Sequence, residues 1–226
     1  MQHQNPLASV EFAENPEPRC PVALIVDISG SMRGQRIQAV NDALQQFRAE
    51  LSRDTLAMLR AEIALVPFNH RAYFYDFSSV QSFVPPTLAA EGGTKISLAV
   101  NTALDLLDSR KQLYRENGIS YFRPLALLLT DGRPEHDTAQ EIANVRERLM
   151  LEEEDRRIAF FSFGVEGADI NALSQIVPPN RPPRHIGGAM QIAGLFQWLS
   201  NSVAKISTSN PGDRIRLDPV DDYLEY

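Results

Sequence analysis

At 226 residues, with 43% hydrophobic and 23% charged side chains, the chain is long enough to bury one sizeable core. Its formal charge of −7 argues against non-specific binding to nucleic acid or an anionic membrane, since both need basic surface. No apolar run approaches membrane-spanning length, no basic-then-apolar leader is visible, and the one cysteine, Cys20, has no internal partner, which together predict a cytoplasmic globular protein.

Residues 1–19 carry Pro6, Pro16 and Pro18 without periodicity and are predicted as an N-terminal arm, from which Val10 and Phe12 offer an edge strand. A main domain over 20–207 follows, and then an acidic tail over 208–226, whose end from Asp218 to Tyr226 is expected to be flexible. Within the domain, Val22 to Asp27 reads as a strand buried on both faces. Ile37, Val40, Leu44, Phe47 and Leu51 form one apolar stripe, which predicts a helix from Gln35 to Leu51. Ala61 to Phe68 is a second strand, and the aromatic-rich Arg71 to Phe77 is its hairpin partner, turning at Asn69-His70.

A loop from Ser78 to Gly93 delivers Thr94 to a helix whose core face is Ile96, Val100, Ala103 and Leu107. Leu125 to Leu129 is another doubly buried strand, ending at Thr130-Asp131-Gly132. Asp137 is expected to cap the next helix, and the charged run Glu152 to Arg157 to be its solvated end. Ile158 to Phe163, a short helix near Ile170 to Val177, a short strand at Arg184 to Ile186 and a helix from Gln191 to Ile206 complete the order. This strand–helix alternation predicts an α/β fold: a doubly wound, mostly parallel sheet with one antiparallel edge strand and helices on both faces.

Such a sheet brings the carboxyl ends of its strands to one rim, where open α/β sheets place their ligands. Asp27, Ser29 and Ser31 arrive there from the first strand, Thr94 from the Gly92-Gly93 loop and Asp131 from the central strand. All five offer oxygen, the ligand type of hard divalent cations. Each also has a simpler use, since Asp27, Ser29 or Ser31 alone at a strand tip is a helix-capping residue. No G-x-x-x-x-G-K-[ST] and no G-x-S-x-G is present, which argues against a P-loop and a serine hydrolase. Arg33, Lys95, Arg133, Glu135 and His136 fall in the surrounding loops, either as solvated surface or as a rim that reads a partner.

Asp27-Ile-Ser29-Gly-Ser31, Thr94 after its Gly-Gly pair and Thr130-Asp131-Gly132 together resemble the metal-ion-dependent adhesion site of the von Willebrand factor A domain, over roughly Pro21 to Ile206. Met32-Arg33-Gly34, Leu129-Thr130-Asp131-Gly132-x-Pro134 and Phe196-x-Trp198-x-Ser200-x-Ser202-Val203 further resemble bacterial TerY-type proteins of tellurium-resistance and stress operons. The resemblance implies a non-catalytic interaction module. Ser29, Ser31 and Thr94 would supply hydroxyl oxygens to Mg²⁺ (or Mn²⁺ or another divalent cation), and Asp27 and Asp131 would often act through water. An open coordination position then takes an Asp or Glu of a protein partner, with an operon-encoded kinase or phosphatase as the expected kind; neither nucleic acid nor membrane insertion is implied. Two alternatives stay open: a Mg²⁺-dependent phosphohydrolase with His136 as base, and a structural subunit whose metal only stabilises it.

Overall fold

A computed structural model describes Phe12 and residues 15–224. Val10, the other half of the expected edge strand, lies outside the described residues. Six strands, β1 (Cys20–Asp27), β2 (Ala61–Phe68), β3 (Tyr75–Ser79), β4 (Leu125–Thr130), β5 (Ala159–Gly164) and β6 (Arg184–His185), form one sheet in the order β3-β2-β1-β4-β5-β6. All neighbours run parallel except β3, which pairs antiparallel with β2 at one edge, as the alternation of elements predicts.

Every residue of β1 and β2 is buried, because both faces of the sheet are covered. Leu24 and Val26 face helices α1 (Gln35–Leu51), α2 (Thr55–Arg60) and α6 (Ala189–Ser207). Ala23 and Ile25 face α3 (Ile96–Glu116), α4 (Ala139–Glu154) and α5 (Ile170–Ser174). An unbroken apolar run is what a strand between two helical layers requires. Burial also pushes the Cys20 thiol up to about 12, so this side chain is a packing group rather than a nucleophile.

One helix is added to the expected order and three local expectations are revised. Helix α2, started by an Asp54 carboxylate that accepts from Ala57 N at 2.7 Å, is too short to show a stripe. The β3 strand begins at Tyr75 rather than Arg71, since Tyr73 N returns to Pro67 O and residues 69–74 are spent on the turn. Asp137 does not cap α4: Thr138 does so, in a reciprocal box with Glu141. The Asp137 carboxylate instead accepts from Ile96 N at 2.8 Å and Ser97 N at 3.0 Å, capping α3 across the fold.

The third revision is the charged run. Glu152 and Glu153 are buried, and the Glu153 carboxylate accepts from Phe160 N, Arg181 and Arg123. The first two residues of the run thus form an internal junction between α4 and β5, while Glu154 to Arg157 are exposed as expected.

Beyond α6 the chain doubles back over that helix. Trp198 Nε1 donates to Asp218 O at 2.9 Å, Lys205 pairs with Asp218, Val220 is buried, and a 3₁₀ turn spans Val220–Tyr223. Trp198 is itself buried. No described helix is long and apolar enough to cross a membrane.

Candidate metal centre

The register of the sheet builds the centre. Val26 stands opposite Leu129, so the next residues, Asp27 and Thr130, leave their strands side by side. Thr130 Oγ1 donates to Asp27 Oδ2, and Ser29 N donates to Asp27 Oδ1 at 2.7 Å. Both oxygens of a fully buried carboxylate are thereby fixed. Ser29 Oγ and Ser31 Oγ lie 3.0 Å apart, and Ser31 Oγ donates to Asp131 Oδ1 at 2.6 Å. A Cβ added to Gly132 would stand 2.8 Å from Thr94 Oγ1 and 3.3 Å from Asp27 Oδ2, which places the Thr94 hydroxyl against the same cluster. The five oxygen-bearing side chains expected to converge do so.

Two backbone contacts hold the loops in place. Gly30 N donates to Gly92 O at 2.8 Å, and Glu91 N donates to Ile28 O at 2.8 Å. Gly92 has φ +77°, and a Cβ there would meet the His70 ring at 2.6 Å, so only glycine fits this approach. On the other side Lys95 N binds Asn69 O and His136 N binds Thr94 O, tying Thr94 to its neighbours at both ends.

The electrostatics are unusual for a buried pair of carboxylates. Burial, assisted weakly by Asp131, pushes the Asp27 carboxyl up to about 6 despite its hydrogen bonds from Thr130 and Ser29. The cation at hand is Arg36, whose Nη1 donates to Asp131 Oδ2 at 2.5 Å and to Ser31 O at 3.0 Å. Sequence reading missed this residue: its place in the first turn of α1 marks it as one more exposed helical arginine, and only the fold aims it at Asp131.

The expected rim residues have other partners. Arg33 Nε donates to Ala90 O, Lys95 pairs with Glu141 at 2.7 Å, and Arg133 pairs with Asp169 at 3.2 Å. Glu135 and His136 are exposed, and the His136 imidazole lies over Gly93, 6.4 Å from the ring of His70. None of these five side chains is hydrogen-bonded to the oxygen cluster among the described residues.

Three hydroxyls and two carboxylates suit a hard cation. No group of three or more His, Cys, Asp or Glu able to hold a metal occurs among the described residues, so a nitrogen- or thiolate-rich site does not compete. With few anionic ligands, Mg²⁺ would keep several waters and an open face. Arg36 sets the charge here. Arg36→Gln is expected to tighten Mg²⁺ binding about tenfold, the size of a guanidinium's repulsion of a divalent ion several ångströms away at intermediate dielectric. Isothermal titration of the two proteins checks this.

Residues 22–187 match the von Willebrand factor type A domain. The chain belongs to that family. It is 37% identical to human inter-alpha-trypsin inhibitor heavy chain H4 over 80% of its own length, and 31% identical to the pig heavy chain H4 over 82%. It spans only 20% of either relative. Among solved structures, the pilus adhesin SpaC of Lactobacillus rhamnosus GG superposes with a TM-score of 0.66 at 12% identity, covering 84% of this chain and 31% of the adhesin. A von Willebrand factor type A protein of Catenulispora acidiphila gives 0.58 at 18% identity, covering 84% and 43%. Proximal thread matrix protein 1 of the mussel byssus, in a form with a zinc-occupied MIDAS motif, gives 0.54 at 15% identity, covering 84% and 47%. At these identities the structural likeness concerns the fold.

Proposed function

We propose that this type A domain is a non-catalytic, divalent-cation-dependent protein-binding module, with Ser29, Ser31 and Thr94 as hydroxyl ligands and Asp27 and Asp131 holding the ion's waters. The observation that carries the reading is the meeting of five oxygen side chains from three separate elements around one point, two of them carboxylates out of reach of bulk water. Mg²⁺ is the proposed ion, on ligand type. Its incompletely neutralised charge would take an Asp or Glu of a partner protein in the open position, with Arg33, Lys95, Arg133, Glu135 and His136 flanking the contact. Relatives named as inhibitor heavy chains and neighbours named as adhesins support binding rather than turnover. The TerY-like motifs support a cytoplasmic stress-response setting in which a kinase or phosphatase from the same operon is the partner.

The test is thermal unfolding with and without Mg²⁺, followed by capture from native lysate. Mg²⁺ is expected to raise the melting temperature of the wild type but not of Ser29→Ala or Thr94→Ala. The captured partner should be lost in both variants and in EDTA. A wild type that binds Mg²⁺ no better than its hydroxyl-deleted variants, or that keeps its partner in EDTA, defeats the proposal.

A further inference from the structure

Helix α6 lies along α1, reaches β1, and meets β5 through Trp198. Phe161 and Phe163 of β5 meet the edge of Trp198, with ring centroids 5.1 and 6.1 Å apart, and the Arg181 guanidinium lies over the Phe161 ring at 4.5 Å. The segment 212–220 passes across as a strap. Between strap and sheet is a cavity of about 800 Å³ whose floor includes Leu125, Phe161, Trp198, Ile206 and Leu217. Its size falls within the range of small-molecule sites.

The rim is strongly cationic. Seven arginines and one lysine line the cavity, against two aspartates, in a chain that carries 22 basic and 29 acidic residues in all. Part of this has a structural use. Arg123 and Arg181 neutralise the buried Glu153, Lys111 and Arg157 pair with Glu152, and Arg184 pairs with Asp221. That leaves three cations unexplained. Among the described residues Arg115, Arg156 and Arg214 have no carboxylate partner; Arg115 reaches only the Tyr121 hydroxyl, at 3.2 Å.

Arg156 stands at positive φ, 56°, as the left-handed residue that closes α4, where Arg157 N returns to Glu152 O at 2.8 Å. Burial, and then the neighbouring Arg181 and Arg156, hold the Arg123 guanidinium below its ordinary value against the pull of Glu153. The rim therefore has positive charge in excess of what its own acids neutralise.

We propose that this cavity binds a small organic anion: an aromatic or aliphatic body on the Phe161–Trp198 floor and a phosphate or carboxylate held by Arg156 and Arg214. Apolar area orients the body, and the unpaired guanidinium groups select the charge. The site is separate from the metal centre. Arg123 and Arg156 precede β4 and β5 at the strands' amino ends, roughly 17 Å along a six-residue strand from the oxygen cluster.

The test uses the full chain in EDTA, which removes any contribution of metal, with 1-naphthyl phosphate as the probe and 1-naphthol and inorganic phosphate as its halves. Calorimetry is expected to show the intact probe binding at least tenfold tighter than either half. Arg156→Glu/Arg214→Glu should weaken it at least tenfold, while Arg53→Glu, outside the cavity lining, should leave it unchanged. Trp198 is the only tryptophan, so a shift of the single indole N–H resonance would place the probe on the floor. Naphthol binding as tightly as the phosphate, a double reversal that binds like wild type, or an unmoved indole resonance would overturn the proposal. Displacement of the probe by a Glu-Phe-Glu-Phe peptide at lower concentration than by naphthyl phosphate itself would also overturn it, in favour of a docking surface for acidic protein segments.

Discussion

Replacing Glu62 with glutamine is expected to destabilise the fold by about 3–5 kcal/mol, the cost of stranding buried charges. Glu62 is buried at the start of β2, with Arg19 Nε 3.0 Å from one oxygen and Arg110 Nε 2.7 Å from the other. The Tyr114 hydroxyl donates to the same carboxylate. Burial works against the Arg110 guanidinium, yet Glu62 holds it above its ordinary value. Burial and then Glu62 raise the Tyr114 phenol as well.

Arg19 also donates to Glu17 O and Asn15 O, and the ring of Phe12 lies 5.4 Å from its guanidinium and 5.1 Å from that of Arg110. One carboxylate thus fastens residues 15–19 to both β2 and α3. Urea unfolding of Glu62→Gln measures the loss. A companion with Met at positions 19, 62 and 110 is expected to recover most of it, because an apolar replacement strands no charge. A loss below about 1 kcal/mol in the single variant would show that water reaches the cluster.

Asp27→Asn is expected to act in opposite directions on stability and on cation binding. The Asp27 carboxyl titrates near 6 in the folded chain, above its ordinary 3.8, so folding favours its protonated form. Stability from this group is full below pH 4 and is lost as pH rises through 6, a decline of about 3 kcal/mol at 1.36 kcal/mol per pH unit. Asparagine removes that penalty. Its amide turns Thr130 Oγ1 from donor to acceptor, at a cost of about 1 kcal/mol, so the metal-free variant should gain about 1–2 kcal/mol at pH 7.5.

The same variant should lose the stabilisation that Mg²⁺ is expected to give the wild type. In the wild type, Mg²⁺ affinity should fall as pH drops below 6, since the ion must displace the Asp27 proton. Melting curves at pH 5 and 7.5, with Mg²⁺ and with EDTA, separate these effects. A variant less stable than wild type in EDTA at pH 7.5 would mean that the Asp27 charge is compensated within the fold.

Much of the architecture was legible because the helical layers on both sides impose simple patterns. β1, β2 and β4 must be apolar through their middles, α1 and α3 must show stripes, and both kinds of pattern survive in linear order. The α1 bounds, Gln35–Leu51, are those predicted from its spacing. The oxygen side chains of the centre were legible for a related reason: parallel strands end at one rim, so Asp27 and Asp131 had to meet there once β1 and β4 were recognised.

What the tertiary structure alone decided lies wherever a charged or polar group changes partner across the fold. Asp137 caps α3 instead of its own helix, Arg36 pairs with Asp131, Glu153 is buried, and Arg19 enters a cluster at β2. Local pattern cannot reveal such pairings, because an exposed and a buried ion pair use the same residues. Hydrophobic periodicity reports which face of an element is covered. Charge carries no period, and its partner is chosen by distance in space.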